Sequence, residues 1–199
     1  LQASARGRGA GRAEQDPEAL WFQGRTGLGD QCGSGKSGAV DRVGRVPALM
    51  LDDGQILVDS GTILDYLDRE VGPERSLTPS EGIERNQALN FLSIATGAIE
   101  KAISTVYEVR FRPEEKRHAP WVDRCAEQAR GGVSYLESQL TGDWFLGNRM
   151  TQVDVTVAIG WQFMEIAAKE LLATMEAPRL SALSERMGGL DAFKNTHPG

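Results

Sequence analysis

The chain has 199 residues, of which 40% are hydrophobic and 25% are charged, as in an ordinary globular protein. Its net charge of -6 argues against nucleic acid as a partner, because phosphate binding requires a basic surface. No apolar run approaches the roughly 18 residues that span a membrane, and Cys32 and Cys125 fit no disulfide or metal pattern. We therefore expect a cytoplasmic protein with no metal and no membrane contact.

Residues 1–38 differ in composition from the rest of the chain. They contain no Val, Ile, Met or Tyr, and their bulky apolar cluster is confined to Leu20, Trp21 and Phe22. So few large apolar groups cannot offset the entropy lost on folding, about 1–2 kcal/mol per residue. The basic residues near the start precede no apolar stretch, so no secretory signal is expected. We predict a poorly structured or anomalous segment.

A β-hairpin followed by a helix is predicted next. Residues 46–51 and 55–58 form short apolar runs, and Asp-Asp-Gly at residues 52–54 favours a tight turn between them. Asp59 and Ser60 then provide a helix cap. The helix places three apolar side chains on one face: Ile63, Leu64 and Leu67.

Four further helices are predicted in the remainder of the chain. Ser80 caps a long helix that Pro113 interrupts, and Pro120 opens a second helix at a first-turn position. A third spans residues 151–169, and a shorter one follows Pro178. The long helix is expected to bury an apolar stripe: Leu89, Leu92, Ile99, Ile103 and Val106.

The third helix opens with a folding signal. Thr151 and Asp154 have the spacing of a capping box, with Asp in place of the usual Glu or Gln, and Met150 and Val155 are placed for a hydrophobic staple. This pattern fixes where a helix begins and indicates no chemistry. The Phe-Leu-Gly stretch at residues 145–147 precedes it.

Together these motifs resemble the glutathione transferase superfamily, in its bacterial cytosolic type, over about residues 40–197. The resemblance rests on Val46-Pro47 before a hairpin, Asp59-Ser60 at the next helix start, and the Thr-x-x-Asp box. It implies a two-part α+β fold in which a thioredoxin-like α/β domain precedes an all-α helical bundle. The expected division is a partial thioredoxin-like domain at 39–75, lacking its first strand-helix-strand, and a helical domain at 80–197.

The resemblance also implies a site for glutathione as co-substrate. A cis peptide between Val46 and Pro47 would leave the Val46 backbone free to pair with the cysteinyl unit. Ser60 and the helix N–H groups would take the γ-glutamyl carboxylate, and Asp59 its ammonium. Each motif by itself is more simply a strand entry or a helix cap, and it is their joint occurrence that favours the glutathione site.

No catalytic residue can be assigned. The family carries a Ser, Tyr or Cys near its first helix, but the resemblance fails in residues 1–38, so the thiol activator is not found. The resemblance implies that Tyr107, Arg110 and Trp161 face the cleft for the electrophile. Arg110 would attract an anionic substrate there, or serve as a solvated cation at a helix end.

These observations lead to a functional hypothesis with two alternatives. The first is a homodimeric glutathione transferase that conjugates glutathione to, or uses it to reduce, a small electrophile with an impaired catalytic site. The second is a non-catalytic binding or partner-interaction protein of the same fold. The third is a truncated or frame-shifted inactive member.

Overall fold

The computed structural model describes residues 47–196. The segment predicted to be poorly structured, residues 1–38, lies outside the described residues, as does Val46, so both interpretations stay predictions. Within residues 47–196, no helix combines the length and the apolar character that crossing a membrane requires.

The described chain opens with the predicted β-hairpin. Strands β1 (Ala48–Met50) and β2 (Ile56–Val58) pair antiparallel, with Leu49 opposite Leu57. Gly54 lies in the turn with φ of 86°, a conformation that glycine adopts without steric cost. The hairpin prediction is therefore confirmed.

Helix α1 (Ser60–Val71) follows immediately and packs on both strands. Asp59 is its N-cap, as predicted, and accepts the Gly61 N–H at 3.0 Å. The helix ends at Gly72, which has φ of 77°. Residues 72–81, which we call the linker, contain only turns and bends. The predicted division between residues 39–75 and 80–197 falls in the linker and stays a prediction.

The rest of the described chain is helical. The helices are α2 (Gly82–Phe111), a 3-10 turn (Glu114–Lys116), α3 (Ala119–Gln139), α4 (Gln152–Ala167), α5 (Lys169–Leu172), α6 (Pro178–Gly188) and α7 (Asp191–Thr196). Helix α2 packs against α3 and α4, and α4 packs against α6. The predicted fold class, a small α/β part joined to an all-α bundle, is confirmed.

Two expectations for α2 are wrong. It begins at Gly82, and the residue before it, Glu81, makes no side-chain capping bond within the described chain, so Ser80 is not the cap. Leu89 is 45% exposed. The buried positions are mostly alanines: Ala88, Phe91, Ala95, Ala98, Ala102 and Glu108.

Close contact between helices explains this alanine face. A Cβ added to Gly132 on α3 would lie only 2.8 Å from the Cβ of Ala98. The two backbones approach so closely that a leucine could not fit between them. The larger apolar residues of α2 are displaced to the margins, where Leu92 and Val106 are half-buried.

Helix α4 is the centre of the core, and its predicted capping box is present. Asp154 is fully buried and accepts the backbone N–H of Thr151 at 2.7 Å and that of Phe145 at 3.0 Å. It therefore ties the preceding loop to the helix start. Cys125 is also fully buried, in agreement with its prediction as a core residue.

Candidate functional site

The hairpin brings two of the predicted motifs together. The β1–β2 register, extended by one residue, sets Pro47 opposite Asp59, and the Asp59 N–H donates to the Pro47 carbonyl at 3.2 Å. Two motifs that are separated in sequence therefore meet where β2 ends and α1 begins. Val46, the expected partner of a bound peptide backbone, precedes Pro47 and lies outside the described residues.

Asp59 has an unusual backbone conformation. Its φ is 72° and its ψ 140°, and it is the one non-glycine residue with positive φ within residues 47–196. Such a conformation costs about 1–3 kcal/mol and tends to occur at functional sites. Its Oδ1 accepts the Gly61 N–H at 3.0 Å.

Ser60 is the first residue of α1 and is exposed. At a helix start the N–H groups lack helical acceptors and the helix dipole is positive, so an anion is stabilised there. Asp59 adds a negative charge beside this positive end. The geometry can therefore receive a carboxylate and a neighbouring ammonium, the two charged groups of an α-amino acid.

Farther along α1, two acidic residues attach the helix to the rest of the molecule. Asp68 accepts the N–H groups of Leu77 and Thr78 in the linker. Asp65 forms ion pairs with Arg69 at 2.6 Å and with Arg85 of α2 at 3.0 Å. Sequence reasoning missed both residues, because acidic side chains on a helix carry no signal that identifies distant partners.

The predicted substrate-cleft residues lie in two places. Tyr107 is half-buried near the end of α2 and meets Phe111 edge-on, with 5.3 Å between ring centroids, and Arg110 is exposed in the last turn. Trp161 on α4 is only 6% exposed, and its Nε1 donates to Glu165 at 3.1 Å. Trp161 lines a core cavity of about 20 Å³, and the roles of all three in substrate binding stay predictions.

Metal ligation finds no support in the described part of the chain. Residues 47–196 contain no group of three or more His, Cys, Asp or Glu side chains arranged to hold an ion.

Comparison with known proteins identifies the family. The model of the glutathione S-transferase N-terminal domain matches residues 37–75, and that of the C-terminal domain matches residues 99–191. The chain belongs to the glutathione S-transferase superfamily. The first match includes both the Pro47 and the Asp59 side of the site, and the second includes the capping box of α4.

Individual relatives agree with this assignment. The chain is 28% identical to glutathione S-transferase GstA of Escherichia coli O157:H7 over 75% of its own length and 70% of the relative's. It is 26% identical to maleylacetoacetate isomerase of Pseudomonas aeruginosa over 80% and 74% of the two lengths. A glutathione transferase family member from Pseudomonas fluorescens Pf-5, solved with bound glutathione, shares the fold with a TM-score of 0.75, 24% identity, and coverage of 93% and 97%.

Proposed function

We propose that this glutathione S-transferase superfamily member binds glutathione where β2 meets α1. In this proposal the backbone of Val46, ahead of Pro47, pairs with the cysteinyl unit, and the hydroxyl and backbone N–H of Ser60 receive the γ-glutamyl carboxylate. Asp59 receives the γ-glutamyl ammonium. The hydrogen bond between Asp59 and Pro47 is the observation that carries the proposal, because it joins the two halves of the site. The glutathione bound in the Pseudomonas fluorescens relative supports the choice of ligand.

The proposed reaction is transfer of glutathione to a small electrophile at a low rate. Transfer requires the thiol as thiolate, and a hydrogen bond to the charged form is what lowers the pKa of a thiol. The sequence assigns no such donor in residues 1–38, so the ligand would bind without efficient activation. A non-catalytic binding protein of the same fold is the alternative. The proposal includes a homodimer in the cytoplasm, and sedimentation velocity tests the dimer.

Binding is tested first, by isothermal titration calorimetry with glutathione on the full chain and on Ser60→Ala. Loss of a hydrogen bond to a charged group costs about 1.5–3 kcal/mol, so the Kd should rise about tenfold or more. Ser80→Ala is the matched control, because Ser80 is also an exposed serine near the start of a helix. Equal affinities for the full chain and Ser60→Ala would remove Ser60 from the site.

Turnover is tested separately, with glutathione and either a generic aromatic halide or maleylacetoacetate. The second compound is included because one relative is named an isomerase of it. Binding with slow conjugation of the halide supports the impaired transferase, and binding without turnover of either compound supports the non-catalytic alternative. Rapid turnover would show that the chain holds a thiol activator that its sequence pattern does not reveal.

A further inference from the structure

We propose that Asp68 is a positioning residue for the glutathione site, holding α1 where Ser60 and the helix N–H groups meet the ligand. The inference rests on the proposed function. It assigns to Asp68 a part in ligand affinity, although its side chain is about 12 Å along the helix axis from Ser60, at about 1.5 Å per residue.

Both carboxylate oxygens of Asp68 accept hydrogen bonds from the linker. Oδ1 accepts the Leu77 N–H at 2.8 Å, and Oδ2 accepts the Thr78 N–H at 3.0 Å. Hydrogen bonds to a charged acceptor are roughly twice as strong as those between neutral groups. The orientation of α1 relative to this segment is therefore fixed by a charged, two-point contact.

The linker is in turn fixed to the core. The Leu77 carbonyl accepts the Gln152 N–H at 2.9 Å, and Arg149 donates to the Ser76 carbonyl at 2.8 Å. The Ser76 hydroxyl donates to the backbone carbonyl of Thr78, and both residues are buried. Gln152 is the first residue of α4, so the linker is attached where the central helix begins. Asp68 thus connects α1, through the linker, to the start of the central helix of the bundle.

Within residues 47–196, packing leaves every residue of α1 at least partly exposed. The second tie to the bundle is the ion pair between Asp65 and Arg85, with side chains 36% and 27% exposed. A partly exposed pair contributes little. Because α1 is a rigid rod, a tilt of the helix at Asp68 displaces Ser60 relative to Pro47 and β1. A binding site tolerates only about 0.5 Å of such displacement.

The test compares Asp68→Asn with Glu70→Gln, which removes one negative charge from an exposed position of the same helix. Asn presents an NH₂ group to one of the two N–H donors, so one of the two hydrogen bonds to the linker is lost while the side-chain volume is kept. The Kd for glutathione, measured by calorimetry on the full chain, should rise about tenfold for Asp68→Asn and stay within about twofold for Glu70→Gln. The rise should exceed what any loss of folded protein, measured by circular dichroism at the titration temperature, accounts for.

A second measurement needs no variant. The coupling between glutathione binding and the Asp68 hydrogen bonds is reciprocal. Saturating glutathione should therefore slow hydrogen exchange at the Leu77 and Thr78 amides by about the factor by which Asp68→Asn raises the Kd. A merely structural Asp68 would give no such ligand dependence. Unchanged exchange at both amides, or unchanged affinity in Asp68→Asn, overturns the positioning role while leaving the binding site in place. If the unaltered chain itself fails to bind glutathione, the proposed function fails and this inference falls with it.

Discussion

Asp59 donates its backbone N–H to the carbonyl oxygen of Pro47 across the open end of the hairpin, with 3.2 Å between nitrogen and oxygen. The same residue caps α1 through its side chain and accepts the Ile63 N–H at its carbonyl, 3.2 Å away. Asp59 is therefore bonded to the residue before β1 on one side and to α1 on the other. This double attachment supports its strained φ of 72°.

Asp59→Asn should separate the contribution of the Asp59 charge to glutathione binding from its contribution to the helix cap. Asn tolerates positive φ and still offers an oxygen to the Gly61 N–H, so the free energy of unfolding should change by less than about 0.5 kcal/mol. Loss of the negative charge should raise the glutathione Kd about tenfold, because a charged hydrogen bond to the ammonium is weakened. Asp53→Asn is the control: Asp53 accepts the Gln55 N–H at 2.9 Å in the exposed hairpin turn. Chemical denaturation and calorimetry measure the two quantities, and a stability loss without an affinity loss would contradict the assigned role.

Asp154→Ala should destabilise the fold strongly. The carboxylate is fully buried and accepts N–H bonds from Thr151 and Phe145, so its removal leaves buried donors unsatisfied. We expect a loss of about 3 kcal/mol in the free energy of unfolding. Asp143→Ala is the matched control, because that side chain is 86% exposed. Equal urea midpoints for the two variants would show that the box does not anchor α4.

Glu137→Ala should weaken the start of α6. Glu137, near the end of α3, accepts the N–H groups of Arg179 at 3.1 Å and Leu180 at 3.0 Å, in the first turn of α6. The residue at the N-cap position, Ala177, provides no side-chain cap, so Glu137 supplies it from another helix. Its loss should cost about 1 kcal/mol, the usual value of a cap. The control is Glu127→Ala, an exposed change on the same helix, whose thermal midpoint should stay close to that of the unaltered chain. A thermal midpoint of Glu137→Ala no lower than that of the control contradicts the capping role.

Two adjacent glycines of α3 should respond to alanine with opposite signs. At Gly131 an added Cβ meets nothing within 4 Å, so Gly131→Ala should stabilise by about 0.5–1 kcal/mol through helix propensity. At Gly132 the Cβ would lie 2.8 Å from the Cβ of Ala98, which cannot rotate away. Gly132→Ala should therefore cost about 1–3 kcal/mol by forcing α2 and α3 apart. Denaturant titration of both variants measures the difference, and a stabilising Gly132→Ala would mean that the two helices are not in close contact.

The sequence by itself determined the elements whose signals are local. The Asp-Gly turn gave the hairpin, Asp59 gave the start of α1, and Pro120 and the Thr151 box gave the starts of α3 and α4. Each of these depends on groups within about four residues of one another, a separation that backbone geometry converts into a fixed distance. The same local motifs supported the family resemblance and, through it, the proposed site residues.

Only the tertiary structure decided which surfaces and carboxylates meet across the chain. Hydrophobicity favoured Leu89 for the buried face of α2, but the close approach of α3 selects small residues there, with Ala98 against Gly132. Asp68 finds its partners in the linker, and Glu137 finds its own at the start of α6, 42 residues away. Sequence periodicity specifies which way a side chain faces from its helix, whereas the distance to the neighbouring helix and the partner of a charged group depend on how the helices pack.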